Sequence, residues 1–417
     1  MYIAGEILCH GIPPTYPTDY ATLKYNSDGI LQWFRIYGNQ RFDVPQAIAV
    51  DNFNNIYVTG WGDDFSCFLT IKYNSNGEEE WVKRDSNGKW ASGIAVSKDN
   101  YIYITGWNHG SYVTMKYNSN GNKEWEVNYP AHAFYLELPK IAIDTFGNVY
   151  VAGVCNNDYL TIKYNRNGQI LWVRTYNGPG NGYDRVCGLA VDNLGNVYIT
   201  GLSEGDGTNF DYATIKYNAN GVEEWVKRYN DAWNGPDSAR AIAVDDSGNV
   251  YVTGTSWNGL NMDYLTIKYT QKPDRVEDWI IRYNGPDNLN DYAFFLSLDN
   301  YGNIYVSGVS YSTKQGIDYT TIKYIQTGCG IRTEEKHKFL LNNSILKIYP
   351  NPAKNIVYIQ GPLLKKEIKI FDISGNLIKV LYIEENKKNF PLNLNNIKEG
   401  IYFIKIDNKQ EKLIIQK

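Results

Sequence analysis

The sequence has few of the residues on which metal and nucleophilic chemistry usually depend. Its 417 residues include only 4 histidines, 5 cysteines and 3 methionines. The histidines, at His10, His109, His132 and His337, do not stand at metal-ligand spacing from one another or from a cysteine. No nucleophile elbow, phosphate-binding loop or dinucleotide fingerprint is present. We therefore assign no catalytic residue, and the sequence favours a function other than catalysis.

Cysteine content, charge and hydropathy exclude further classes of protein. The cysteines are too scattered for a disulfide framework, and their odd number leaves at least one unpaired within the chain. A formal charge of −4 and a pI near 5.7 argue against nucleic acid or anionic membrane as the main partner, because both need a basic face. No apolar run is long enough to predict a transmembrane helix. Met1 is followed at once by a strand-like segment, without the basic and apolar regions of a signal peptide.

What the sequence has in abundance is a repeat rich in tyrosine, tryptophan and glycine, with 36, 11 and 37 of these residues in the chain. The most regular copy reads AIAVDDSGNVYVTG, residues 241–254, followed by DYLTIKY, residues 263–269. A repeat of about 50 residues indicates a solenoid, a propeller or an array. Its tyrosine–glycine part ends at Gly5, Gly60, Gly106, Gly153, Gly201, Gly254 and Gly308.

Each repeat holds four short segments with the alternation and the β-branched or aromatic enrichment of strands, separated by turns of Asn, Asp and Gly. We name them A (IAVD, 242–245), B (VYVTG, 250–254), C (TIKY, 266–269) and D (EEWVKRY, 223–229). Such units predict the four-stranded antiparallel blades of a β-propeller, an all-β fold. We expect the recurring tyrosines and tryptophans to pack between neighbouring blades.

Two of the connections in each unit have constant length and one varies widely. Six residues separate the end of A from the tyrosine of B, as in Asp245 and Tyr251. The C tyrosine and the D tryptophan are also at nearly fixed spacing, whereas the connection between B and C changes in length from unit to unit. In an up-and-down blade, the A–B and C–D turns lie on one face of the propeller and the B–C and D–A loops on the other. We name the face that carries the B–C and D–A loops the variable face. We expect it to bind a ligand, because loops on a rigid scaffold commonly carry function.

The strand count predicts a seven-bladed propeller that is incomplete at its N-terminus. The B and C segments occur in all seven units, but the first A segment begins at Ile48 and the last D segment lies near Trp279. One upstream stretch carrying a D strand and then an A strand would complete the ring, because propellers commonly close when an N-terminal strand completes the final blade. The alternatives are six complete blades with frayed ends, or a C-terminal segment such as 331–341 acting as the missing strand.

These repeats resemble the SBBP family of bacterial β-propeller repeats and, more loosely, NHL-type repeats. The resemblance covers residues 1–324 and rests on IAVD, GNVYVTG, TIKYNxxG and the tryptophan that follows. It implies a propeller fold. It implies no single activity, since propellers host many unrelated functions.

A second pattern follows the repeats. Residues 325–343 contain TGCG and a charged run but no repeat residues, and we predict a linker there. Residues 344–417 contain LKIYPNPAKN, IKIFDISGNLIK and EGIYFIKI, whose alternation and turns predict a small β-sandwich. In this order they closely resemble the type A sorting domain of the type IX secretion system of Bacteroidetes. The residues that carry the resemblance are Tyr349, Pro350, Asn351, Pro352, Asp372, Gly375, Gly400 and Tyr402.

The resemblance to a sorting domain implies a localisation and a partner. It implies passage across the outer membrane by the type IX secretion machinery, often with removal of this domain and with attachment to the cell surface or release. Export also requires a step across the inner membrane, normally guided by a signal peptide. We therefore expect a signal peptide in an upstream segment, the same segment that would supply the absent strands.

Two series of carboxylates recur in the repeats, one before the C strand and one before the A strand. Recurrence favours a structural role in which the side chain accepts hydrogen bonds from loop amides. A ring of carboxylates near the channel mouth would instead hold Ca²⁺, which prefers oxygen ligands. We favour the structural role, predict no cofactor, and keep Ca²⁺ on the second series as the alternative. The first series is Asp19, Asp158, Asp211, Asp263 and Asp318, and the second is Asp43, Asp184, Asp237 and Asp291.

Aromatic residues outside the repeat pattern are the candidate ligand-binding residues. All of them fall in B–C or D–A loops and therefore on the variable face, where they would stack on sugar rings or anchor a peptide. The alternative for each is that it merely caps its own loop. The candidates are Trp61, Phe65, Trp90, Trp107, His109, Phe134, Tyr135, Tyr183, Trp233 and Trp257.

Together these observations predict a secreted or surface-displayed propeller that binds glycan or protein through its variable face. The first alternative is an extracellular polysaccharide lyase or hydrolase on a propeller scaffold, whose catalytic residues would come from the same loops. The second alternative is a structural spacer or adhesin module.

Overall fold

The structure is a computed structural model that divides into two compact units, Met1–Lys336 and His337–Lys417. In the parts of the chain that it describes, all the regular secondary structure consists of β-strands. Within those parts, no helix has the length and apolar character that crossing a membrane requires. The described residues are 2–8, 18–26, 30–38, 42–62, 66–133, 137–270, 279–313, 316–327, 330–335, 347–349, 354, 356–360, 366–372, 376–383, 389–406 and 409–415.

The first unit consists of seven antiparallel sheets in which neighbours along the chain are also neighbours in the sheet. Three described strands form blade 1, and four form each of blades 2 to 7. Blades 1 to 3 contain β1 (Tyr2–Leu8), β2 (Thr18–Tyr25) and β3 (Leu31–Tyr37); β4 (Val44–Val50), β5 (Ile56–Gly62), β6 (Cys67–Tyr73) and β7 (Glu79–Asp85); and β8 (Trp90–Val96), β9 (Ile102–Asn108), β10 (Ser111–Tyr117) and β11 (Lys123–Pro130).

The remaining blades of the first unit repeat the same order of strands. Blades 4 to 7 contain β12 (Lys140–Ile143), β13 (Val149–Cys155), β14 (Asp158–Tyr164) and β15 (Ile170–Tyr176); β16 (Asp184–Val191), β17 (Val197–Glu204), β18 (Phe210–Tyr217) and β19 (Glu223–Tyr229); β20 (Asp237–Val244), β21 (Val250–Trp257), β22 (Met262–Tyr269) and β23 (Trp279–Tyr283); and β24 (Asp291–Leu298), β25 (Ile304–Ser312), β26 (Gly316–Thr327) and β27 (Gly330–Glu335).

The core of this unit lies between blades. Each A strand from β8 onward packs against the A and B strands of the preceding blade. One buried cluster, for example, joins Tyr57 and Phe68 of blade 2 to Ile102, Ile104 and Met115 of blade 3. Apolar faces of successive sheets therefore bury one another, as in a β-propeller. The prediction of a seven-bladed propeller, with its recurring aromatics packed between blades, is confirmed.

The A–B turns explain the constant spacing of six residues. In blade 4, one carboxylate oxygen of Asp144 accepts hydrogen bonds from the backbone amides of Phe146 and Asn148, each at 2.9 Å. The other oxygen accepts the side-chain amide of Asn148 at 2.7 Å and the phenol of Tyr150 at 2.9 Å. The carboxylate thus closes the turn and fixes the B tyrosine. The same pattern is built on Asp51, Asp192, Asp245 and Asp299, whereas Ser97 takes this place in blade 3.

The C–D hairpins carry the contact that links neighbouring blades on the uniform face. In blade 5, Gly221 has a positive φ of 77°, and its backbone lies against the indole of Trp172 from blade 4. That indole donates a hydrogen bond to the carbonyl oxygen of Ala219 at 3.2 Å, and the ammonium of Lys163 donates to the same oxygen at 2.9 Å. Trp33, Trp81 and Trp125 make the equivalent bonds to Ser75, Ser119 and Arg166.

The fourth strand of blade 7 differs from our main expectation. We expected an upstream stretch to supply it and assigned 325–343 to a linker. In the structure, β26 continues to Thr327, and β27, Gly330–Glu335, pairs antiparallel with it. This is the alternative in which a C-terminal segment completes the last blade. The segment GIRTEE lacks the tryptophan that marks every other D strand, which is why the repeat pattern does not reveal it.

The second unit is a small β-sandwich, as predicted. One sheet has the order β28–β29–β32 and the other β31–β30–β33–β34. Val357 and Leu392 of the first sheet and Ile370, Ile404 and Leu413 of the second belong to one buried cluster. The strands are β28 (Lys347–Tyr349), β29 (Ile356–Gln360), β30 (Lys366–Asp372), β31 (Leu377–Ile383), β32 (Asn389–Asn393), β33 (Gly400–Ile406) and β34 (Lys409–Ile415).

Candidate functional site

Four of the candidate residues lie together on the variable face, where B strands end and A strands begin. Trp90, the first residue of β8, is paired with Trp107 of β9, so their side chains project from the same side of the sheet. Their rings are stacked, with centroids 4.7 Å apart and planes at 17°. Trp61 of blade 2 meets Trp90 edge-on at 5.7 Å, and His109 lies 6.1 Å from Trp107. We name Trp61, Trp90, Trp107 and His109 the aromatic cluster.

Hydrogen bonds and a tight turn hold the aromatic cluster in place. The indole nitrogen of Trp107 donates to the carbonyl oxygen of Ala133 at 2.9 Å. The amide of Asn108 donates to the carbonyl oxygen of Asn87 at 2.6 Å, which ties the end of β9 to the preceding loop. His109 has a positive φ of 47° and an exposed side chain, whereas the three indoles are half-buried. The cluster is therefore a fixed aromatic surface that solvent reaches in part.

Trp233 and Trp257 form a second pair of candidates, in the D–A loop before blade 6 and at the end of β21. The indole of Trp233 lies over the backbone of Gly259, and the indole of Trp257 lies over Gly235. Asp231 accepts a hydrogen bond from the backbone amide of Trp233, whose side chain is 69% exposed. Each of the two loops thus places its tryptophan on a glycine of the other.

Tyr183 directly precedes the first strand of blade 5. Its ring meets Phe210 edge-on, with centroids 6.3 Å apart. Burial, together with a hydrogen bond to the carboxylate of Glu137, raises the pKa of Tyr183 to about 12. The phenol therefore stays protonated at neutral pH and donates to the carboxylate. Phe65, Phe134 and Tyr135 lie outside the described residues.

Sequence reasoning missed Phe210 and Glu137 as neighbours of Tyr183. Phe210 is a nonrepeat aromatic residue that begins β18, directly after a B–C loop, so the criterion that selected the other candidates also fits it. Glu137 carries no such signal. It is buried, and Tyr112 donates a hydrogen bond to its carbonyl oxygen at 2.9 Å.

The carboxylates of the second series, at or just before the start of A strands, are fully buried, and those of Asp184, Asp237 and Asp291 accept hydrogen bonds from backbone amides. Asp184 accepts from Gly178 at 2.6 Å and from Glu204 at 3.2 Å, so it joins the D–A loop to the end of a B strand. Asp237 accepts from the amides of Asp231 and Trp257 in the same way. Burial raises the pKa of Asp237 to about 7 and also raises that of Asp291.

These contacts account for the recurrence of Asp184, Asp237 and Asp291, and the fourth member of the series, Asp43, is also fully buried. In the parts of the chain that the structure describes, no three His, Cys, Asp or Glu side chains are grouped so that they could hold a metal ion.

Two carboxylates of the first series, at the start of C strands, pair with arginines of the D strands. Arg228 forms an ion pair with Asp211 at 2.8 Å, and Arg282 forms one with Asp263 at 3.2 Å. Burial raises the pKa of Asp158, which neighbours Asp184. Asp318 is buried, and an added Cβ atom at Gly38 would meet the carboxylate of Asp19. The contacts of this series are therefore with neighbouring strands and loops of the blades.

Comparison with known protein families gives two matches. Residues 32–64 and 224–261 match the beta-propeller repeat, and residues 347–417 match the secretion system C-terminal sorting domain. The chain carries β-propeller repeats and a type IX sorting domain. No curated protein matches it significantly. The sorting domain indicates a protein that the type IX system secretes and displays at the cell surface.

Several solved structures are similar at low identity. PorZ, an essential bacterial surface component of the type IX secretion system of Porphyromonas gingivalis, is 12% identical with a TM-score of 0.41, covering 98% of this chain and 65% of its own. The polysaccharide lyase Uly1 is 11% identical with a TM-score of 0.44, covering 86% and 92%. The Neurospora crassa Pan2 WD40 domain is 9% identical with a TM-score of 0.48, covering 69% and 81%. The chain thus spans about two thirds of the length of the PorZ structure. The match of its repeats, and not this similarity, identifies the β-propeller repeats.

The structure describes part of the motif of the sorting domain. Asp372 closes the turn between β30 and β31, accepting the backbone amide of Asn376 at 2.9 Å and its side-chain amide at 3.0 Å. Gly400 and Tyr402 belong to β33, and the buried Tyr402 donates to the carbonyl oxygen of Lys398 at 3.0 Å. Tyr349 ends β28. Pro350, Asn351, Pro352 and Gly375 lie outside the described residues.

Proposed function

We propose that this secreted surface propeller binds glycan through the aromatic cluster on its variable face. The stacking of Trp90 on Trp107 at 4.7 Å, with Trp61 and His109 beside them, carries the proposal. The C–H face of a pyranose ring is apolar, and it packs on the face of an indole. Binding sites for small ligands are lined mainly by aromatic and apolar side chains, with few polar groups that fix orientation.

The way in which the aromatic cluster is held supports the proposal. Strand pairing and the hydrogen bond from Trp107 to Ala133 fix the indoles before a ligand arrives, so little side-chain entropy is lost on binding. His109 is exposed at the rim, and its ring nitrogens can bond to sugar hydroxyl groups. Display at the cell surface by the type IX system supports the proposal, because it would make this face accessible to extracellular polysaccharides.

Binding of the full chain to a panel of immobilised polysaccharides, and then isothermal titration with oligosaccharides of those that bind, tests the proposal. The test variants are Trp107→Ala and His109→Asn; asparagine tolerates the positive φ of this position. We expect the affinity of Trp107→Ala to fall about tenfold or more, which corresponds to about 1.4 kcal/mol. The matched control is Phe146→Ala, because Phe146 is also an exposed aromatic residue, 69% exposed, but lies in an A–B turn on the opposite face.

Equal binding by Trp107→Ala, His109→Asn and the control would contradict the proposal, provided that the three variants unfold at similar temperatures. Absence of any polysaccharide binding, combined with capture of a peptide ligand that Trp107→Ala abolishes, would replace glycan with protein as the ligand. Shortening of the polysaccharide during the assay would instead favour a lyase or hydrolase.

A further inference from the structure

Three cationic side chains lie on consecutive A strands of the propeller. Lys140 begins β12, Arg185 is the second residue of β16, and Arg240 is the fourth residue of β20. β12 packs against β16, and β16 packs against β20, so these A strands form part of the inner ring around the central channel. All three side chains are half-buried, and solvent therefore reaches them in part. We name Lys140, Arg185 and Arg240 the cationic row.

Strand register places Arg185 at the same level as Trp90 of the aromatic cluster. In blade 3, Trp90 pairs with Trp107, which directly follows the glycine that ends the B segment YIYITG. In blade 5, Arg185 pairs with Leu202, which directly follows the equivalent glycine. The other two members of the row lie farther from the variable face along their strands. The cationic row therefore starts at the face that carries the aromatic cluster and continues into the channel.

Lys140 takes a place where most blades have a small residue. An added Cβ atom at the equivalent glycine of blade 3 or blade 5 would lie 2.9 Å from the isoleucine of the next A strand, so the side chain of Lys140 starts between β12 and β16. Burial lowers the pKa of Lys140; Cys187 acts against this effect, and the charge of Arg185 adds to it. The equivalent residues in blades 2, 3, 5 and 6 are Ala47, Gly93, Gly188 and Ala241.

Arg240 has a buried donor without an acceptor. It is the extra residue of a bulge in β20, where the register against β21 shifts between Ala239 and Ala241. Its Nε is shielded from solvent and has no hydrogen-bond partner in the parts of the chain that the structure describes. Arg228 and Arg282, by contrast, form ion pairs with carboxylates of their own blades. A half-buried guanidinium that lacks such a partner is costly, because its charge is desolvated without compensation.

The carboxylates that begin the same strands do not neutralise the cationic row. Asp184 and Asp237 accept hydrogen bonds from backbone amides of neighbouring loops and strand ends. Among the described side chains, no carboxylate forms an ion pair with Lys140 or Arg240. Burial raises the pKa of Asp237 to about 7, so this carboxyl carries only part of its charge at neutral pH. The inner ring of blades 4 to 6 thus has an excess of positive charge, although the net charge of the chain is −4.

We propose that the cationic row binds the anionic groups, carboxylate or sulfate, of an acidic polysaccharide. The inference rests on the proposed function in taking a glycan as the ligand, and it adds that the glycan is charged. A guanidinium donates two parallel N–H groups to one carboxylate or sulfate, and an ammonium adds a point charge. The row continues around the ring from blade 3, so a sugar chain stacked on Trp90 and Trp107 reaches it with the next sugar units. The bound anion supplies the acceptor that Arg240 lacks.

Three polymers with one backbone, dextran, carboxymethyl-dextran and dextran sulfate, test the proposal, together with the uronate polymers alginate and polygalacturonate. Biolayer interferometry with the immobilised full chain at physiological ionic strength measures their affinities. The test variants are Lys140→Ala and Arg240→Ser, because alanine and serine occur at the equivalent places of other blades, at Ala47 and Ser92. We expect each variant to weaken the binding of a charged polymer about tenfold and to leave the binding of dextran unchanged.

Lys98→Ala and Arg166→Ser are the matched controls. They remove the same two charges from exposed side chains in an A–B turn and a C–D hairpin, on the uniform face of the propeller. Both are expected to bind charged polymers as the unmodified chain does. Lys140→Ala and Arg240→Ser are expected to unfold at or above the temperature of the unmodified chain, since each removes a charge that is half-buried without a partner.

Tighter binding of carboxymethyl-dextran or of dextran sulfate identifies carboxylate or sulfate as the preferred group. The proposal is overturned if none of the four charged polymers binds, if dextran binds as tightly as its charged forms, or if the test variants and the controls bind alike. Trp107→Ala in the same assay separates this proposal from the proposed function. Loss of binding in Trp107→Ala alone contradicts the cationic row, whereas loss in Lys140→Ala and Arg240→Ser alone supports the row and contradicts the role of the aromatic cluster.

Discussion

The phenol of Tyr150 donates a hydrogen bond of 2.9 Å to the carboxylate of Asp144 across the A–B turn of blade 4. Tyr150 is fully buried and belongs to the cluster between blades 4 and 5. One carboxylate therefore satisfies two backbone amides, a side-chain amide and a phenol that packs against the next blade. Turn geometry and the interface between blades depend on the same side chain.

Tyr150→Phe is expected to lower the free energy of unfolding by about 1 to 2 kcal/mol, because a buried carboxylate loses a donor while the ring stays in place. Denaturant unfolding followed by tryptophan fluorescence measures the change. Tyr103→Phe is the matched control, since Ser97 replaces the aspartate in blade 3 and provides no carboxylate for this phenol. A loss in the control as large as that in Tyr150→Phe would show that the phenol contributes independently of the carboxylate.

Gly221→Ala is expected to destabilise the protein more than Gly207→Ala does. Both glycines have similar positive φ angles, 77° and 73°, so both variants carry the same backbone strain of about 1 kcal/mol. An added Cβ atom at Gly221 would lie 2.8 Å from the indole of Trp172, whereas at Gly207 it meets nothing within 4 Å. The difference between the two variants in free energy of unfolding therefore measures the contact between blades, and equal losses would contradict its importance.

Much of the fold can be predicted from the sequence because its local chemistry repeats. The spacing of six residues from Asp144 to Tyr150 is the length of a turn that one carboxylate closes, and glycines such as Gly221 mark the hairpins. Interfaces between blades follow from the tryptophans. β27 cannot be predicted in this way, because its sequence GIRTEE lacks that tryptophan. Only its pairing with β26 identifies it as a D strand.

Less of the candidate site can be predicted, since it depends on register and on loop packing. Trp90 and Trp107 are 17 residues apart (107 − 90), and they stack only because the register of β8 against β9 shifts between Ala91 and Gly93. Trp233 and Trp257 are positioned by glycines of each other's loops, a contact that neither loop sequence indicates. Residue type is thus enough to select the candidates, whereas the groups that they form are visible only in the three-dimensional structure.

Arg228 in β19 joins two blades, and we expect its replacement to be costly. Its guanidinium donates to the phenol of Tyr176 in blade 4 at 3.1 Å, to the carbonyl oxygen of Ser203 at 2.9 Å and to the carboxylate of Asp211 at 2.8 Å. Arg228→Lys is expected to lower the free energy of unfolding by about 2 to 4 kcal/mol, because an ammonium cannot reach all three acceptors and Asp211 is buried.

Arg166→Lys is the control for Arg228→Lys. Arg166 also forms an ion pair, with Asp99 at 3.2 Å, but both side chains are more than half exposed to solvent. Such surface pairs contribute at most about 1 kcal/mol. Chemical denaturation of both variants under the same conditions compares the losses. Similar small losses in the two variants would mean that the bonds of Arg228 do not hold blades 4 and 5 together.

Asp237 is expected to make the stability of the propeller decrease as pH rises. Burial raises its pKa from 3.8 to about 7 in the folded state. The neutral form is therefore favoured by folding, so its contribution is complete below about pH 4 and is lost as pH rises through about 7. A shift of this size corresponds to at most about 4 kcal/mol. Asp237→Asn does not ionise at this position, and its free energy of unfolding is expected to fall less between pH 4.5 and 8.

At acidic pH, the free energy of unfolding of Asp237→Asn is expected to be lower than that of the unmodified chain, because both carboxyl oxygens accept backbone amides, from Asp231 and Trp257, and an asparagine offers only one oxygen. The change in the free energy of unfolding with pH, and not its absolute value, therefore reports the titration of Asp237. Asp299→Asn is the control of opposite sign: hydrogen bonds from Asn303, Tyr301 and Tyr305 lower the pKa of Asp299 to about 2, so its contribution is present at neutral pH and lost in acid. Parallel pH profiles for the unmodified chain and Asp237→Asn, measured by urea unfolding, would mean that Asp237 is ionised throughout this range and that its two amide donors offset the cost of burying the charge.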